Sequence, residues 1–435
     1  MRPIIAVLGS AIAITLIVAA FLPAPDSGRY RYTFDVTIQT PGGELPFHIV
    51  MQRNSSAFPK DARIYPGPIG VPRPLEESAI HVLLPDFDPE DLSEIVIPFE
   101  HYDSELKLTQ TEGHRYKGAW RKVRGSGVAE LPVKATRVIG SDNLSGVDPD
   151  AGRSHQVVAN SERFSGRWRV QFESSDDTAI GDFSAWGNLV IGTFLTTTGD
   201  YRHLRGVIDG DLMRLSTFDG AHAFLFHARL QPDGTIAGDF WSGDWWHETW
   251  TATRDDDAQL PDMFAQTSAP NEDALDELVF TNLEGEPTRV VDALNATNAP
   301  VRIIEVFGSW CPNCADAGRE LAELKKTYGD KLGILGLAFE LTDDHERSST
   351  QVKRYLERFG ADWDVLIAGL NNKDAATEEL AILDQVRAYP TTIFLNSDNE
   401  IVEIHTGFTG PATGDAYTEQ HERYVSIIES LIHGE

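Results

Sequence analysis

The chain has 435 residues, 41% of them hydrophobic and 24% charged, with a formal net charge of -30 at neutral pH. That length exceeds one typical domain core, so two or more folded units are expected, and the ordinary apolar content excludes a disordered chain or a polytopic membrane protein over its bulk. The acid excess excludes nucleic acid as a partner, because binding phosphates needs clustered Lys and Arg; it speaks to a well-solvated surface or a salty habitat rather than to chemistry.

Met1-Arg2-Pro3 leads into an apolar run from Ile4 to Leu22 interrupted only by Gly9, Ser10 and Thr15, which is nearly a full membrane span. Segment 1–24 therefore reads as an uncleaved membrane anchor or a secretory signal. The lack of a clean small-x-small cleavage site before Pro23 and Pro25 favours the anchor. No Cys lies near residue 20, so lipid attachment there is excluded. Either reading places the rest of the chain in the cell envelope, periplasmic or otherwise extracytoplasmic. Such a compartment preserves disulfides, yet the chain has only two cysteines, Cys311 and Cys314. They form one Cys-x-x-Cys, which assigns them to reactivity rather than to a stapling framework.

From 29 to 254 the pattern is alternation, as in Tyr30, Tyr32, Phe34, Val36 and Ile38, the period of a half-buried strand. Gly42-Gly43 turns the chain. Further strands are expected at 47–51, 80–84, 106–108, 168–172, 189–194, 223–229 and 236–240. Asp209-Gly210, Asp219-Gly220 and Asp233-Gly234 punctuate the later ones. An all-β N-terminal domain, an antiparallel barrel or sandwich, follows. Gly118-Ala119-Trp120, Gly166-Arg167-Trp168 and Gly238-Asp239-Phe240 echo one another too irregularly for a repeat array. The cluster Phe240, Trp241, Asp244, Trp245, Trp246, His247, Glu248 and Trp250 reads as core packing at a barrel mouth before it reads as a ligand pocket. Residues 255–276, acidic and without periodicity, read as a linker.

From 277 to 435 strands alternate with helices, which implies a mostly parallel sheet covered on both faces. Strands are expected at 301–307, 332–339 and 363–367, and helices at 345–359 and 375–386. A hairpin at 391–395 and 400–404 turns around 396–399. Ala317, Leu321, Leu324 and Tyr328 mark the buried face of the helix after the cysteines, and Tyr417, His421, Tyr424, Ile428 and Leu431 that of a closing helix. The Gly- and Thr-rich stretch 404–414 is a constrained loop, expected at the sheet edge or the rim of the site.

Glu305-Val306-Phe307-Gly308-Ser309-Trp310-Cys311-Pro312-Asn313-Cys314 ends an expected strand and opens an expected helix. A thiol at a helix N-terminus meets unpaired N–H groups and the positive end of the macrodipole, which stabilise its thiolate. Cys311 is thus the expected nucleophile, and Cys314, one turn on, can resolve a mixed disulfide. Pro312 suits the first turn, where a missing N–H costs nothing. This stretch, with Tyr389-Pro390-Thr391 before a strand, resembles the active site of the thioredoxin superfamily, in its TlpA/ResA-like branch. The resemblance covers roughly 278–431, about a third of the chain.

That resemblance implies a C-terminal α/β thioredoxin-like fold and a redox-active disulfide between Cys311 and Cys314. It also implies a cis Pro390 facing that pair, with Trp310 and Tyr389 toward the substrate. Glu305 matches the buried acid that relays the resolving cysteine's proton in thioredoxins; a carboxyl there should have a raised pKa. The alternative, an exposed Glu305 paired with Arg302, stays open. No cofactor and no metal are expected, since zinc needs about four ligands and His345 and His405 make no pair with the cysteines. The sequence thus points to a thiol-disulfide oxidoreductase. By resemblance it is a reductase of protein disulfides or thiols outside the cytoplasm, held at the membrane by its N-terminal segment and supplied by a membrane electron donor. The rival is an envelope ligand-binding protein acting through the β domain, with an accessory redox module.

Overall fold

A computed structural model describes residues 30–53, 60–68, 80–84, 87–124, 127–139 and 161–434. Segment 1–24 lies outside the described residues, and among those described no helix is long and apolar enough to cross a membrane.

The region expected as one all-β unit builds two sheets. The first holds β1 (Tyr30–Thr40), β2 (Gly43–Arg53), β3 (Asp61–Pro66), β4 (Ile80–Leu83), β5 (Glu94–Phe99), β6 (Ser104–Glu112), β7 (Arg115–Arg124) and β8 (Gly127–Val138). Their spatial order is β4-β3-β2-β1-β8-β7-β6-β5, with every neighbouring pair antiparallel. In β1 the alternation of the sequence becomes the alternation of burial: Phe34, Val36 and Ile38 are buried while Asp35 is exposed.

The second sheet comprises β9 (Gly166–Phe172), β10 (Thr178–Trp186), β11 (Leu189–Thr196), β12 (Gly199–Asp200), β13 (Leu204–Asp209), β14 (Leu212–Phe218), β15 (Ala223–Leu230), β16 (Ile236–Ser242) and β17 (Trp246–Arg254). Its strands run in the order β10-β9-β17-β16-β15-β14-β13-β11-β12, and β10 pairs back onto β11. Apart from the two-residue appendage β12, this is a closed eight-stranded antiparallel barrel, and closure removes the exposed edges that a sheet must otherwise protect. Its interior is filled by rings, among them Phe194, Phe226, Phe240 and Trp250. Phe218, Ala221, Ala223 and Leu225 instead pack into the core of the first sheet, so the two sheets share one wall.

The third sheet is built from β18 (Val279–Asn282), β19 (Pro287–Arg289), β20 (Val301–Phe307), β21 (Leu332–Glu340), β22 (Asp364–Leu370), β23 (Thr391–Leu395) and β24 (Ile401–Thr406). Its helices are α1 (Val290–Ala296), α2 (Pro312–Tyr328), α3 (His345–Phe359), α4 (Lys373–Leu380) and α5 (Asp415–His433). The order is β19-β18-β22-β21-β20-β23-β24. Only β20–β21 and β21–β22 are parallel, so the sheet is less parallel than the alternating pattern implied. α2 and α3 supply the crossovers for the parallel pairs, whereas the tight turns between β18 and β19 and between β23 and β24 force antiparallel neighbours. β20 is buried along its whole length, as a central strand covered on both faces must be. α4 ends at Leu380, short of the expected 386, because Ala381 takes a left-handed conformation at φ 49°.

Residues 255–276 contain little regular structure but are tied to the α/β region. Met263 O accepts from Thr406 N at 2.9 Å, Ser268 and Asp384 exchange backbone and side-chain bonds, and Asp262 pairs with Arg423.

Candidate active site

Cys311 is the N-cap of α2, with Pro312 at the first helical position, and its sulfur accepts from Cys314 N at 3.4 Å. The two cysteines are free thiols and both are buried: Cys311 retains 8% exposure and Cys314 none. Their acidities are pulled apart. The Cys311 thiol is lowered, first by the hydrogen bond from the Cys314 side chain and then by the backbone N–H groups of Cys314 and Asn313 and the charge of Arg202, against the opposing effect of burial. Burial pushes Cys314 well above the ordinary thiol value, and its proximity to Cys311 adds to that. The two thiols are thus biased in opposite directions, Cys311 toward thiolate and Cys314 toward keeping its proton.

Glu305 sits in the middle of β20, fully buried, its carboxyl pushed up to about 8 mainly by desolvation. Tyr355 OH lies 3.1 Å from Glu305 Oε1 and 2.6 Å from the Cys314 carbonyl. A phenol has one proton to give, so a neutral Glu305 can donate to the Tyr355 oxygen while Tyr355 donates to the carbonyl. Glu305 Oε2 is buried without a partner. The exposed, Arg302-paired alternative is therefore wrong: Arg302 reaches Asn295 and Asn399 instead.

The Tyr389–Pro390 bond is cis. The carbonyl of Tyr389 accepts from Cys311 Sγ at 3.5 Å, and that of Pro390 accepts from Gly407 N at 2.9 Å. This brings Pro390 to the cysteine pair and the 404–414 loop to the rim. Trp310 donates from Nε1 to Phe339 O at 2.9 Å and meets the Tyr389 ring edge-on at 5.9 Å. All six residues singled out in the sequence thus converge on one place.

Two features escaped sequence reasoning. Glu340, buried at the C-terminal end of β21, accepts from Ser309 N and Ser309 Oγ, both at 2.8 Å, and so fixes the turn that presents Trp310 and Cys311. Desolvation raises its carboxyl as well. An acid closing the otherwise apolar run LGILGLAFE beside the site was the available signal.

The second is a charge cluster brought by the barrel. Arg202, in a left-handed conformation at φ 64°, ion-pairs with Asp316 of α2, bonds Asn313 Oδ1 at 3.2 Å and lies 3.8 Å from Asp219. Asp200 accepts from Arg202 N at 2.6 Å and from Gly410 N at 2.7 Å. Burial alone would raise Asp316 and Asp219, but Arg202 helps hold both below the usual carboxylate range; His222 contributes more than Arg202 at Asp219. Arg202 and Asn313 are 111 positions apart, and no local pattern signals such a contact. Among the described residues no group of His, Cys, Asp and Glu is arranged to hold a metal ion.

No family model matches the chain. Among curated proteins, the thiol-disulfide oxidoreductase ResA of Halalkalibacterium halodurans is 31% identical over 130 residues, 30% of this chain and 64% of that protein. The thioredoxin-like protein YneN of Bacillus subtilis is 25% identical over 125 residues, 29% of this chain and 65% of its own length. The chain thus spans just under two thirds of the curated relatives it matches. Among solved structures, a thiol-disulfide oxidoreductase from Bacteroides fragilis shows 22% identity over 33% of this chain and 96% of its own, with a TM-score of 0.24.

Proposed function

We propose that the protein is a thiol-disulfide oxidoreductase reducing disulfides of protein substrates through Cys311 and Cys314, a reading supported by the likeness of the C-terminal third of the chain to ResA and to a thioredoxin-like protein. The observation that carries this reading is the opposed acidity of the two sulfurs above a buried, proton-bearing Glu305. Cys311 thiolate attacks one sulfur of the substrate disulfide; a bond forms between Cys311 and that sulfur, and the other substrate sulfur leaves as thiolate to be protonated by solvent. In the fraction of molecules in which Glu305 has lost its proton to solvent, Cys314 then gives its own to Glu305 and attacks Cys311, releasing the second substrate sulfur as thiolate, which solvent protonates, and leaving the Cys311–Cys314 disulfide. The substrate gains two electrons and the pair loses two, so an external dithiol donor, in this reading at the membrane, must restore it. Trp310, Tyr389 and Pro390 form the surface beside Cys311 on which substrate lies. The working location is the cell envelope, with segment 1–24 as anchor or signal.

The reduction potential of the Cys311/Cys314 couple tests the direction. A reductase should lie near the value of about -270 mV typical of thioredoxin, whereas a value near the roughly -120 mV of a strong oxidant would reverse the proposed electron flow. The rival, in which the β domain binds a ligand apart from the redox pair, is disfavoured by one observation: the cavity at the barrel mouth is lined by Cys311 itself.

A further inference from the structure

Eight strands enclose a space that side chains can fill or that can hold one small ligand. In this barrel the rings of the core fill the depth, but the end facing α2 stays open as a cavity of about 680 Å³. That lies in the range of ligand pockets, roughly 300–1,000 Å³, and barrel mouths are a preferred place for them. The three sheets meet there. The barrel contributes an aromatic floor, Tyr201, Phe224 and Phe240, and the half-exposed Trp246 at its edge; the first sheet contributes Lys122 and Arg124 of β7; the α/β region contributes Trp310 and Cys311.

The charges at this mouth are unequal in availability. The acids lining it are engaged: Glu248 accepts from Trp246 Nε1 and Ser174 N, each at 3.0 Å, Asp200 from the two backbone groups already described, and the solvent-exposed Asp177 from Thr197 Oγ1 at 3.0 Å. Lys122 gives one hydrogen bond, to the Ala221 carbonyl, and Arg124 lies 4.5 Å over the Trp245 ring. Neither cation is in an ion pair among the described residues. In a chain of net charge -30, two cations with no ion-pair partner among the described residues, beside an aromatic floor, select an anionic, partly apolar guest. The rim adds hydroxyls, Ser174, Ser175, Thr196 and Thr198, suited to amide groups.

Access to the sulfur is restricted on the barrel side. The tip between β11 and β12 lies so close to α2 that a Cβ on Gly199 would fall 1.9 Å from Asn313 Nδ2, and Arg202 bonds the same Asn313 side chain. A folded protein cannot lie flat across that face, whereas an extended segment can enter the cavity and bring a sulfur to Cys311.

We propose that the barrel mouth is a substrate subsite for an extended, cysteine-bearing peptide segment with a carboxylate beside the cysteine, the carboxylate meeting Lys122 and Arg124 and a neighbouring apolar side chain lying on the aromatic floor. This rests on the dithiol reading of Cys311 and Cys314. The test uses the full chain, reduced, with two synthetic peptides as mixed disulfides with 2-mercaptoethanol: one with Asp and Phe flanking the cysteine, the other with Lys in place of Asp. 2-Hydroxyethyl disulfide serves as the third substrate. At low salt the acidic peptide should be favoured in kcat/KM by about tenfold or more, the worth of one charge-assisted contact, mainly through KM. The ratio should fall toward one in Lys122→Gln/Arg124→Gln and invert in Lys122→Glu/Arg124→Glu. Because it is read within each variant, general damage cancels. Calorimetric titration of Cys311→Ser with the unoxidised peptides should show the same order of affinity without thiol chemistry. Equal kcat/KM for the two peptides, or a preference untouched by both double variants, would overturn the subsite. Failure of all three disulfides to oxidise wild-type Cys311/Cys314, with the calorimetric preference intact, would overturn the dithiol reading and leave the subsite standing.

Discussion

The ionisable groups around the cysteine pair fall into two regions built on opposite terms. Inside the α/β region Glu305 is buried with one phenol beside it and one oxygen bonded to nothing. At the seam with the barrel, Arg202 lies largely buried among Asp200, Asp219, Asp316 and Asn313, each of which takes a hydrogen bond or ion pair there, although burial still raises Asp200. An uncompensated carboxyl escapes its desolvation cost by keeping a proton, and so can trade one. A compensated cluster has charges that cannot move without leaving a partner stranded. The first arrangement suits proton transfer; the second fixes where α2 begins relative to the barrel.

The largest expected effect bears on the sulfurs between these regions. Cys314→Ser should trap substrates as stable mixed disulfides on Cys311, and Cys311→Ser should trap almost none, as read on non-reducing gels from the native compartment. Cys314 is fully buried with a raised thiol value, so it cannot substitute as attacker. Trapping by Cys311→Ser instead would exchange the two roles.

Next comes the seam. Arg202→Ala takes from the buried Asp316 and Asp219 the cation they share, leaving Arg319 beside the first and His222 beside the second, and stranding a buried charge costs up to about 3–5 kcal/mol. Urea unfolding should show a loss of that size. Arg202→Lys should recover only part of it, since one ammonium cannot reproduce the Nη1 contacts to Asp316 and Asn313 together with the approach of Nε to Asp219. A loss below about 1 kcal/mol, the level of an exposed pair, would mean the cluster is solvated.

These two regions were unequally legible in the sequence. Val301–Phe307, His345–Phe359 and Thr391–Leu395 form the elements that periodicity outlines, and Glu305, Cys311 and Cys314 share one short motif whose chemistry is local. The helix expected to 386 stops early because Ile382, Leu383 and Val386 stay buried in an irregular stretch, so their apolar spacing imitates a helix face. β7 went unseen because in RYKGAWRKVR only Tyr116 and Trp120 are buried, a spacing that suits helix as well as strand. β8 carries Pro132 inside a strand, which argues against one. Barrel closure by β9 with β17, and the pairing of Arg202 with Asp316, join distant residues with no local trace.

The third test addresses proton transfer. Glu305→Gln keeps the shape and removes the titration, so the resolving step should slow on the order of 10²-fold, while capture of substrate by Cys311 changes little. In wild type the resolving rate should rise with pH as Glu305 ionises around 8, and that rise should vanish in the variant. Single-turnover kinetics separate the two half-reactions. Equal resolving rates would take Glu305 out of the mechanism.

The smallest expected effect is a slope of stability with pH, and it separates the two regions most directly. Burial raises the Glu305 carboxyl to about 8 in the folded protein, while in the unfolded chain it titrates near its ordinary value of about 4.3. Between these values the folded state holds the extra proton, so the free energy of unfolding falls as pH rises. The contribution is complete below the unfolded value and is lost as pH climbs through about 8. The seam runs the other way: Asp316 and Asp219 are lowered in the fold, so their contribution is present above the unfolded carboxylate value and is lost as pH falls through their folded values. Urea midpoints of the reduced protein should therefore decline on both limbs. Glu305→Gln should flatten the limb between about pH 5 and pH 8, and Arg202→Ala should flatten the acid limb. If wild type and Glu305→Gln ran parallel across the neutral range, Glu305 would already be ionised in the fold. The contrast between a mobile proton within the α/β region and fixed charges at the seam would then fail.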